Sequence, residues 1–232
     1  MGNRYFAGVD LGQSRDFTAI AVVERAEVMG EWDAAVWAWR KEIMLRLRFL
    51  ERVPLGTPYP EVVERVVQVT RSRNLAGRCH LAVDGTGVGR PVVDLLRGAR
   101  LGCPLMPAII TSGGLETMDQ GYYKVPKRDL IIGMQVLLQR RELQIAGGLA
   151  DGPALLKEMA DMQVKVSLRG NEQYGAWREG THDDLVLAVA LACWSAGKIY
   201  PNPPQGKERW WTNGKEDEAV RLPRMGGWGG MK

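Results

Sequence analysis

Acidic residues occur at three separate places where a predicted strand ends or a predicted helix begins. They are Asp10 and Asp84, each closing a short apolar segment, and the pair Asp183 and Asp184 at the start of an almost entirely apolar segment. A helix that is apolar on most faces is buried, so its first turn should lie against the core. Carboxylates from three separate elements are what a two-metal phosphoryl-transfer centre requires. The sequence therefore predicts cleavage of a nucleic-acid backbone, with these four acids as catalytic and metal-binding residues.

Each acid also has a purely structural interpretation. An aspartate at a strand end often forms a turn, although Gly12 and the following turn into a second apolar strand place Asp10 at a sheet edge facing a cleft. Thr181 and Asp184 match a capping box at a helix start. Successive helix residues point about 100° apart, so Asp183 and Asp184 should have different roles, one binding metal directly and the other acting through water. The sequence does not decide which of the two binds directly.

Two motifs beside these acids have open interpretations. His182 either contacts the scissile phosphate or orients a carboxylate, or it faces solvent at the helix start. The Gly-rich segment 85–91 either connects a strand to a helix or binds phosphate, but it matches neither the Walker A pattern nor the dinucleotide-binding glycine pattern. At the carboxyl end of a strand in an open α/β sheet, Asp84 is well placed for ligand chemistry.

Basic residues lie beside two tyrosines in the segment 122–128. Lys124, Lys127 and Arg128 are candidate contacts for DNA phosphates, with the aromatic rings available to bases or sugars. The alternative is an ordinary solvated helix start. A second basic run, for which the sequence suggests no definite role, contains Arg46, Arg48 and Arg52.

Apolar periodicity and turn residues predict the elements that position these side chains. Strands are predicted at 4–10, 17–23, 34–43, 80–84 and 105–110, and helices at 60–70, 90–98, 126–141, 153–162 and 181–192. The first three strands should form an antiparallel meander, with Trp37 and Trp39 on one face of the third. The segment 111–123 is predicted as an irregular, mobile loop, and 164–178 as a hairpin that turns at 169–171. This order predicts an α/β fold, a mixed sheet with helices on both faces.

Length and composition predict one domain at 1–200 and a C-terminal tail at 201–232, where apolar periodicity stops. In the tail, Trp210 and Trp211 form either an exposed docking element or a contact that packs the tail onto the domain. No apolar run is long enough for a membrane span, and no secretory signal is visible. Three cysteines without CxxC spacing predict reduced, buried thiols, and two histidines argue against a Cys/His zinc site. The net charge of +4 is compatible with a polyanionic partner.

Four segments together resemble the nuclease domain of large terminase subunits from tailed bacteriophages. They read GVDLGQSRDFTAIAVV, LAVDGTGVGRPVVDLL, VPKRDLIIGMQVLLQRRELQIA and REGTHDDLVLAVALACW, in the expected order across roughly 4–197. The resemblance implies an RNase H-like fold with a central mixed five-stranded sheet. It also implies a divalent-metal endonuclease, with two Mg²⁺ or Mn²⁺ ions per site, that cuts concatemeric viral DNA during packaging in the cytoplasm of the infected bacterium. The metal-binding acids of the family fall on Asp10, Asp84 and Asp183/Asp184.

The resemblance also implies partners. These are double-stranded DNA, the terminase ATPase motor, the small terminase subunit and the capsid portal. No Walker A loop occurs in the 232 residues, so the motor is expected on another polypeptide or on a part of the protein outside this chain. Movable gates are expected at Thr111–Gly121 and near Arg169–Asn171. The isolated chain is expected to be monomeric, because no long heptad repeat is visible.

Three other functions remain open at this point. A RuvC-like junction resolvase would share the fold and a similar acidic cluster. The segment 8–14 resembles the first phosphate loop of actin-like and sugar-kinase ATP-binding domains, although these need a second lobe. A non-catalytic scaffold that docks through the tail is the third.

Overall fold

The structure, a computed structural model, describes residues 4–12, 16–87, 89–166, 172–175 and 182–201. The strands are β1 (Arg4–Asp10), β2 (Thr18–Asp33), β3 (Ala38–Val53), β4 (Cys79–Asp84), β5 (Leu105–Thr111), β6 (Thr117–Asp119), β7 (Tyr122–Pro126), β8 (Leu143–Ile145), β9 (Gln163–Val166) and β10 (Glu172–Gly175). The helices are α1 (Tyr59–Thr70), α2 (Gly89–Gly98), α3 (Lys127–Gln139), α4 (Gly152–Asp161) and α5 (Asp184–Ile199). No helix in these ranges is long and apolar enough to cross a membrane.

The main sheet is mixed, in the order β6-β7-β5-β4-β1-β2-β3-β8. Strand β1 lies at its centre, antiparallel to β2 and parallel to β4. The predicted mixed sheet with helices on both faces is confirmed. The expected count of five strands matches the central part, β5-β4-β1-β2-β3. The short strands β6, β7 and β8 extend it to eight, because the chain pairs with both edges of that central part.

Apolar residues cover both faces of the sheet. One face packs on α1 and α2 through residues such as Val66 and Leu96, and the other packs on α3, α4 and α5. Helix α5 is buried from Asp184 through Ala196, as its sequence predicts. It lies so close to β1 that a Cβ atom on Gly8 would stand 2.0 Å from the carbonyl oxygen of Ala188. A glycine in the central strand therefore permits the contact between helix and sheet.

Strands β2 and β3 differ most from the sequence prediction. Each is 16 residues long, whereas the predicted segments ended at 23 and began at 34. The predicted third strand at Ala34–Ile43 is wrong in its position, because 34–37 forms the turn of the hairpin and the strand begins at Ala38. Trp37 has a φ of 50° in that turn, so it does not share a strand face with Trp39. The far ends of β2 and β3 are exposed and carry many polar side chains, so the spacing of apolar residues does not predict where these strands end.

The segment 111–123 is not an irregular loop. It contains β6, which pairs with β7 in antiparallel register. Glu116 accepts a hydrogen bond from the Trp194 indole at 3.2 Å and pairs with Lys198 at 2.7 Å, which ties the segment to α5. The predicted hairpin at 164–178 is confirmed by the antiparallel pair β9 and β10. Its turn lies outside the described residues.

The cysteines agree only in part with the prediction of buried thiols. All three are free. Cys79 and Cys193 are buried, but Cys103 is only partly buried.

Candidate active site

Asp10 and Asp84 lie side by side at one edge of the sheet. They end two adjacent parallel strands, in which Val9 is the partner of Val83. Since parallel strands end at the same edge, their last side chains meet there. Burial raises the pKa of Asp84, against the lowering effect of its hydrogen bonds from Thr86 and of the neighbouring Asp10 carboxyl group. The pair therefore shares one small, partly buried volume.

Thr86 holds Asp84 in place. Its backbone N–H and its hydroxyl both donate to Oδ1 of Asp84, at 2.8 and 2.5 Å. The Thr86 Oγ1 atom in turn accepts the Ile110 N–H from the neighbouring strand β5 at 2.8 Å. Thr86 was not among the residues predicted from the sequence, although an aspartate side chain commonly accepts the backbone N–H two residues later in an Asx-turn.

Asp183 approaches the same edge from the start of α5. Its carboxylate binds the Lys127 ammonium, with 2.6 Å between Oδ2 and Nζ. Lys127 is the first residue of α3, which begins directly after Pro126. Lys127 was predicted as a contact for DNA phosphates. It lies instead beside the acidic cluster, which consists of Asp10, Asp84, Asp183 and Asp184. Asp183 is also the N-cap residue of α5, without a side-chain cap. The alternative of a capping box would require Thr181 at the N-cap, and Thr181 lies outside the described residues.

Asp184 is turned toward a different partner. Its two carboxylate oxygens accept from Nε and Nη2 of Arg52 at 2.9 and 3.2 Å. Arg52 also pairs with Glu158 of α4, and Glu158 accepts the Val186 N–H at 3.1 Å. The backbone N–H of Arg52 donates to Asp151 at 2.9 Å. These contacts fix the first turn of α5 to β3 and α4. In the sequence, Arg52 belongs to a basic run without a definite role, and no pattern points to Glu158.

The site carries more negative than positive charge. Burial raises the pKa of the Asp10 carboxyl well above its usual range; the charges of Asp84 and of the two aspartates at the start of α5 raise it further, and the Lys127 ammonium opposes them. Burial likewise raises the pKa of Asp184, against its hydrogen bond from Arg52. With Glu158, five carboxyl groups face two cations. An additional cation would relieve this repulsion.

The donor set of the site fits a hard divalent cation. All candidate ligands are carboxylate oxygens, which Mg²⁺ and Mn²⁺ prefer over nitrogen or sulfur. In the described ranges, however, no three His, Cys, Asp or Glu side chains are arranged to hold one ion as they stand. The contacts of Asp183 with Lys127 and of Asp184 with Arg52 explain this, because each cation occupies carboxylate oxygens.

The remaining predicted residues lie around this cluster. The His182 ring packs edge-on against Phe17, with 5.1 Å between centroids, and is partly buried rather than solvent-facing. Lys124 pairs with Asp119 at 2.7 Å and Arg128 with Asp129 at 3.5 Å. The structure thus brings the four aspartates and Lys127 together, and it places Lys124 and Arg128 in ion pairs of their own.

Glu158 makes the stability of the fold depend on pH. Burial, followed by the charge of Asp184, raises its pKa from 4.5 to about 7. Because the folded state binds this proton more tightly than the unfolded chain, the stabilisation is full below pH 4.5 and is lost as the pH rises through about 7. We expect Glu158→Gln to reduce the loss of unfolding free energy between about pH 5 and about pH 8, by up to about 3 kcal/mol.

Urea denaturation at the two pH values measures this difference. The matched control is Glu61→Gln in the first turn of α1, where the side chain is exposed. Parallel pH profiles for wild type and Glu158→Gln would show that Glu158 does not take up the proton.

Comparison with known proteins gives matches at the level of structure alone. No protein-family model and no curated protein matches the chain. A crystal structure of the large terminase nuclease from thermophilic phage G20c with bound magnesium superimposes with a TM-score of 0.56 and 19% identity, covering 82% of this chain and 80% of that chain. The Thermus phage P74-26 large terminase nuclease domain gives 0.54 and 18%, with coverage of 84% and 80%.

A mutant nuclease domain of the large terminase subunit of bacterial virus Sf6, with manganese and beta-thujaplicinol, is similar to the same extent. Its TM-score is 0.54 at 12% identity, with coverage of 82% of this chain and 87% of that chain. The chain therefore has the fold of these nuclease domains, and the predicted RNase H-like fold is confirmed.

Proposed function

We propose that this chain is a divalent-metal-dependent DNA endonuclease of the large-terminase type, which cuts viral DNA when a genome is packaged. The observation that carries the proposal is the meeting of Asp10, Asp84 and Asp183 at one sheet edge, with a surplus of negative charge. The metals bound by two structurally similar nuclease domains, magnesium in one and manganese in another, support the choice of ion.

In this proposal Asp10, Asp84 and Asp183 hold two Mg²⁺ or Mn²⁺ ions. When bound, such ions activate a water molecule and stabilise the leaving oxygen of a phosphodiester. Asp10 would be the ligand common to both ions, because it ends the central strand and its carboxyl group interacts with those of Asp84 and Asp183. Thr86 fixes the orientation of Asp84. Lys127 holds Asp183 through an ion pair, and its ammonium would be available to a DNA phosphate if Asp183 bound a metal ion instead.

Asp184 acts in this proposal as a positioning residue. Both of its oxygens are engaged by Arg52, so its carboxylate supports the first turn of α5 rather than the metals directly. Removing one partner of a buried ion pair strongly destabilises the protein, because the other charge stays buried and unpaired. Asp184 and Arg52 should therefore matter for folding as well as for DNA cleavage.

The proposed substrate is double-stranded DNA, contacted mainly through its phosphates near Lys124 and Arg128. The proposed partners are an ATPase motor, a small terminase subunit and a capsid portal, and the proposed place of action is the cytoplasm of an infected bacterium. His182 is a proposed auxiliary residue, held beside the site by Phe17. One domain at 1–200 with a tail at 201–232 remains our proposal for the chain's organisation.

Gly8 argues against the ATP-binding alternative. Its missing side chain is explained by α5, because a Cβ atom there would meet backbone atoms of Ala188 and Ala192 at 2.0 and 2.6 Å. A phosphate loop is therefore not needed to account for this glycine. Nothing in the geometry favours a junction resolvase over a terminase nuclease, so the substrate assay below includes a four-way junction.

Cleavage of supercoiled plasmid and of a four-way junction, each with Mn²⁺ or Mg²⁺, tests the function. Substitutions of Asp183 and Asp184 test which of the two residues binds metal. We expect Asp183→Asn to lower nicking more than Asp184→Asn, since loss of a group that supports a metal ligand costs about 10–100-fold and loss of the ligand itself should cost more. Isothermal titration should likewise show weaker Mn²⁺ binding by Asp183→Asn than by Asp184→Asn.

Each outcome of this assay has a consequence. Wild-type protein that binds Mn²⁺ but cuts neither plasmid nor junction would contradict the nuclease. Preference for the junction would favour the resolvase. If Asp183→Asn kept wild-type nicking while a folded Asp184→Asn variant lost it, Asp184 would be the metal ligand and Asp183 the positioning residue.

A further inference from the structure

Strands β2 and β3 form an arm that extends beyond the rest of the sheet. The pairing of β2 with β1 ends where Arg25 meets Arg4, but β2 and β3 continue to pair with each other as far as Asp33 and Ala38. We call residues 26–42 the tryptophan arm. Because β1 ends in Asp10 at its other terminus, the arm points away from the acidic cluster. It therefore has no part in the proposed cleavage chemistry.

The tip of the tryptophan arm carries three exposed tryptophans, one of which contacts the other two. Trp32, Trp37 and Trp39 are 46%, 81% and 56% exposed. The Trp32 ring packs edge-on against Trp37 and Trp39, with 6.2 and 5.6 Å between centroids. Met29 and Val36 beside them are also exposed. A contiguous apolar patch of this kind on a soluble surface marks an interaction site.

The charge of the arm argues for an occupant that is not nucleic acid. Four acidic residues and two basic ones lie within 26–42. Arg40 pairs with Asp33 at 2.9 Å and Lys41 with Glu27 at 3.6 Å, which leaves Glu31 and Glu42 without a cation among the described side chains. Base-stacking platforms need positive charge around the aromatics, whereas this tip is net negative. Its complement is an apolar segment with Lys or Arg.

The chain's own C-terminal segment has that chemistry. Residues 219–232 contain three basic side chains and no acidic one, together with Val220, Leu222, Met225 and Trp228. The neighbouring segment 202–218 also carries basic and apolar side chains, but its four acidic residues would be repelled by Glu31 and Glu42.

The described part of the chain ends at Pro201, next to Tyr200 at the base of the arm. The Tyr200 ring lies between two guanidinium groups, 4.8 Å from that of Arg4 and 5.2 Å from that of Arg25. From Arg25 to the tip the arm extends roughly 26 Å, for eight residues at about 3.3 Å each. The twenty residues from Pro201 to Arg221 span about 25 Å as a random coil. The basic segment can therefore reach the tip without extension of the chain.

We propose that residues 219–232 dock on the tip of the tryptophan arm in the same molecule. Basic side chains of the segment face Glu31 and Glu42, and its apolar side chains cover Trp37 and Trp39. Tethering within one chain makes even a weak contact effective, because the local concentration is in the millimolar range. This docking is independent of the proposed nuclease activity and would be present in a catalytically inactive variant.

Photocrosslinking of the full chain tests the docking. The photoreactive amino acid p-benzoylphenylalanine replaces Val36, which leaves all three tryptophans in place, and the protein is irradiated at submicromolar concentration. We expect a monomeric product in which mass spectrometry maps the crosslink to 219–232. Trp37→Ser with Trp39→Ser in the same background should lower the yield roughly tenfold, and Glu31→Lys with Glu42→Lys should also lower it. Circular dichroism checks that each variant is folded.

The matched control carries the photoreactive group at Leu95, an exposed position on α2. A yield at Val36 no higher than at Leu95 would overturn the proposal. A crosslinked dimer would also overturn it, because the occupant would then be a second copy of the chain. An unchanged yield after loss of the two tryptophans would show that the tip is not the docking surface.

Discussion

Replacement of Asp10 by asparagine should abolish metal-dependent DNA nicking, with a loss greater than the 10–100-fold that accompanies removal of a group supporting a metal ligand. Asn keeps the size of the side chain but removes the negative charge that a bridging ligand supplies. The same variant should lose the rise in melting temperature that Mn²⁺ produces in wild type, since a ligand stabilises only the state that binds it. Plasmid nicking and thermal denaturation with and without Mn²⁺ measure the two effects.

Without metal, the same substitution should stabilise the fold. The folded-state pKa of Asp10 is raised by burial and by neighbouring carboxylates. Its contribution to stability is therefore present below the unfolded pKa and lost as the pH rises through the folded pKa. Above the unfolded pKa, folding requires Asp10 either to keep a buried charge or to take up a proton, and both cost free energy. Asp10→Asn should therefore raise the metal-free melting temperature by a few degrees.

The control is Asp94→Asn, which removes an exposed carboxylate paired with Arg97 at 2.9 Å on α2. Surface pairs of this kind contribute little, so nicking and the Mn²⁺ response should both be retained. Near wild-type nicking by Asp10→Asn in Mn²⁺ would remove Asp10 from the catalytic site.

Gly8→Ala should give the largest loss of stability among single methyl additions at the described glycines of the sheet. The new Cβ atom would stand 2.0 Å from the Ala188 carbonyl oxygen and 2.6 Å from the Ala192 nitrogen. Both are backbone atoms of α5, so no side-chain rotation can relieve the overlap. We expect a loss of about 3 kcal/mol or more, which corresponds to a fall in melting temperature of roughly 10 °C for a chain of this size. Urea denaturation measures it.

Gly98→Ala is the matched control for this substitution. Gly98 ends α2, and a Cβ atom there would meet nothing within 4 Å. Alanine is favoured over glycine in helices by about 1 kcal/mol, so this variant should be neutral or more stable than wild type. If both variants unfolded at the same urea concentration, α5 would not lie directly against β1.

Much of the fold follows from local pattern. The apolar segments at 4–10 and 80–84 correspond to β1 and β4, and the hydrophobic spacing at 60–70 and 126–141 corresponds closely to α1 and α3. The apolar run after Asp184 predicts the buried helix α5. These predictions succeeded because side-chain burial and backbone conformation are set by residues near in sequence. The lengths of β2 and β3 could not be predicted this way, since the arm is exposed and its pairing replaces the burial signal.

By itself, the sequence determined that carboxylates end two neighbouring strands and begin a buried helix. Only the tertiary structure decided what each carboxylate touches. Asp183 meets Lys127 across 56 residues of chain, and Asp184 meets Arg52 across 132. Residues so far apart in sequence form no periodic pattern, because the distance between them in space is set only when the whole chain folds. The tertiary structure alone therefore shows that the adjacent residues Asp183 and Asp184 have different surroundings. It alone also shows that the tryptophans at the tip of the arm are exposed.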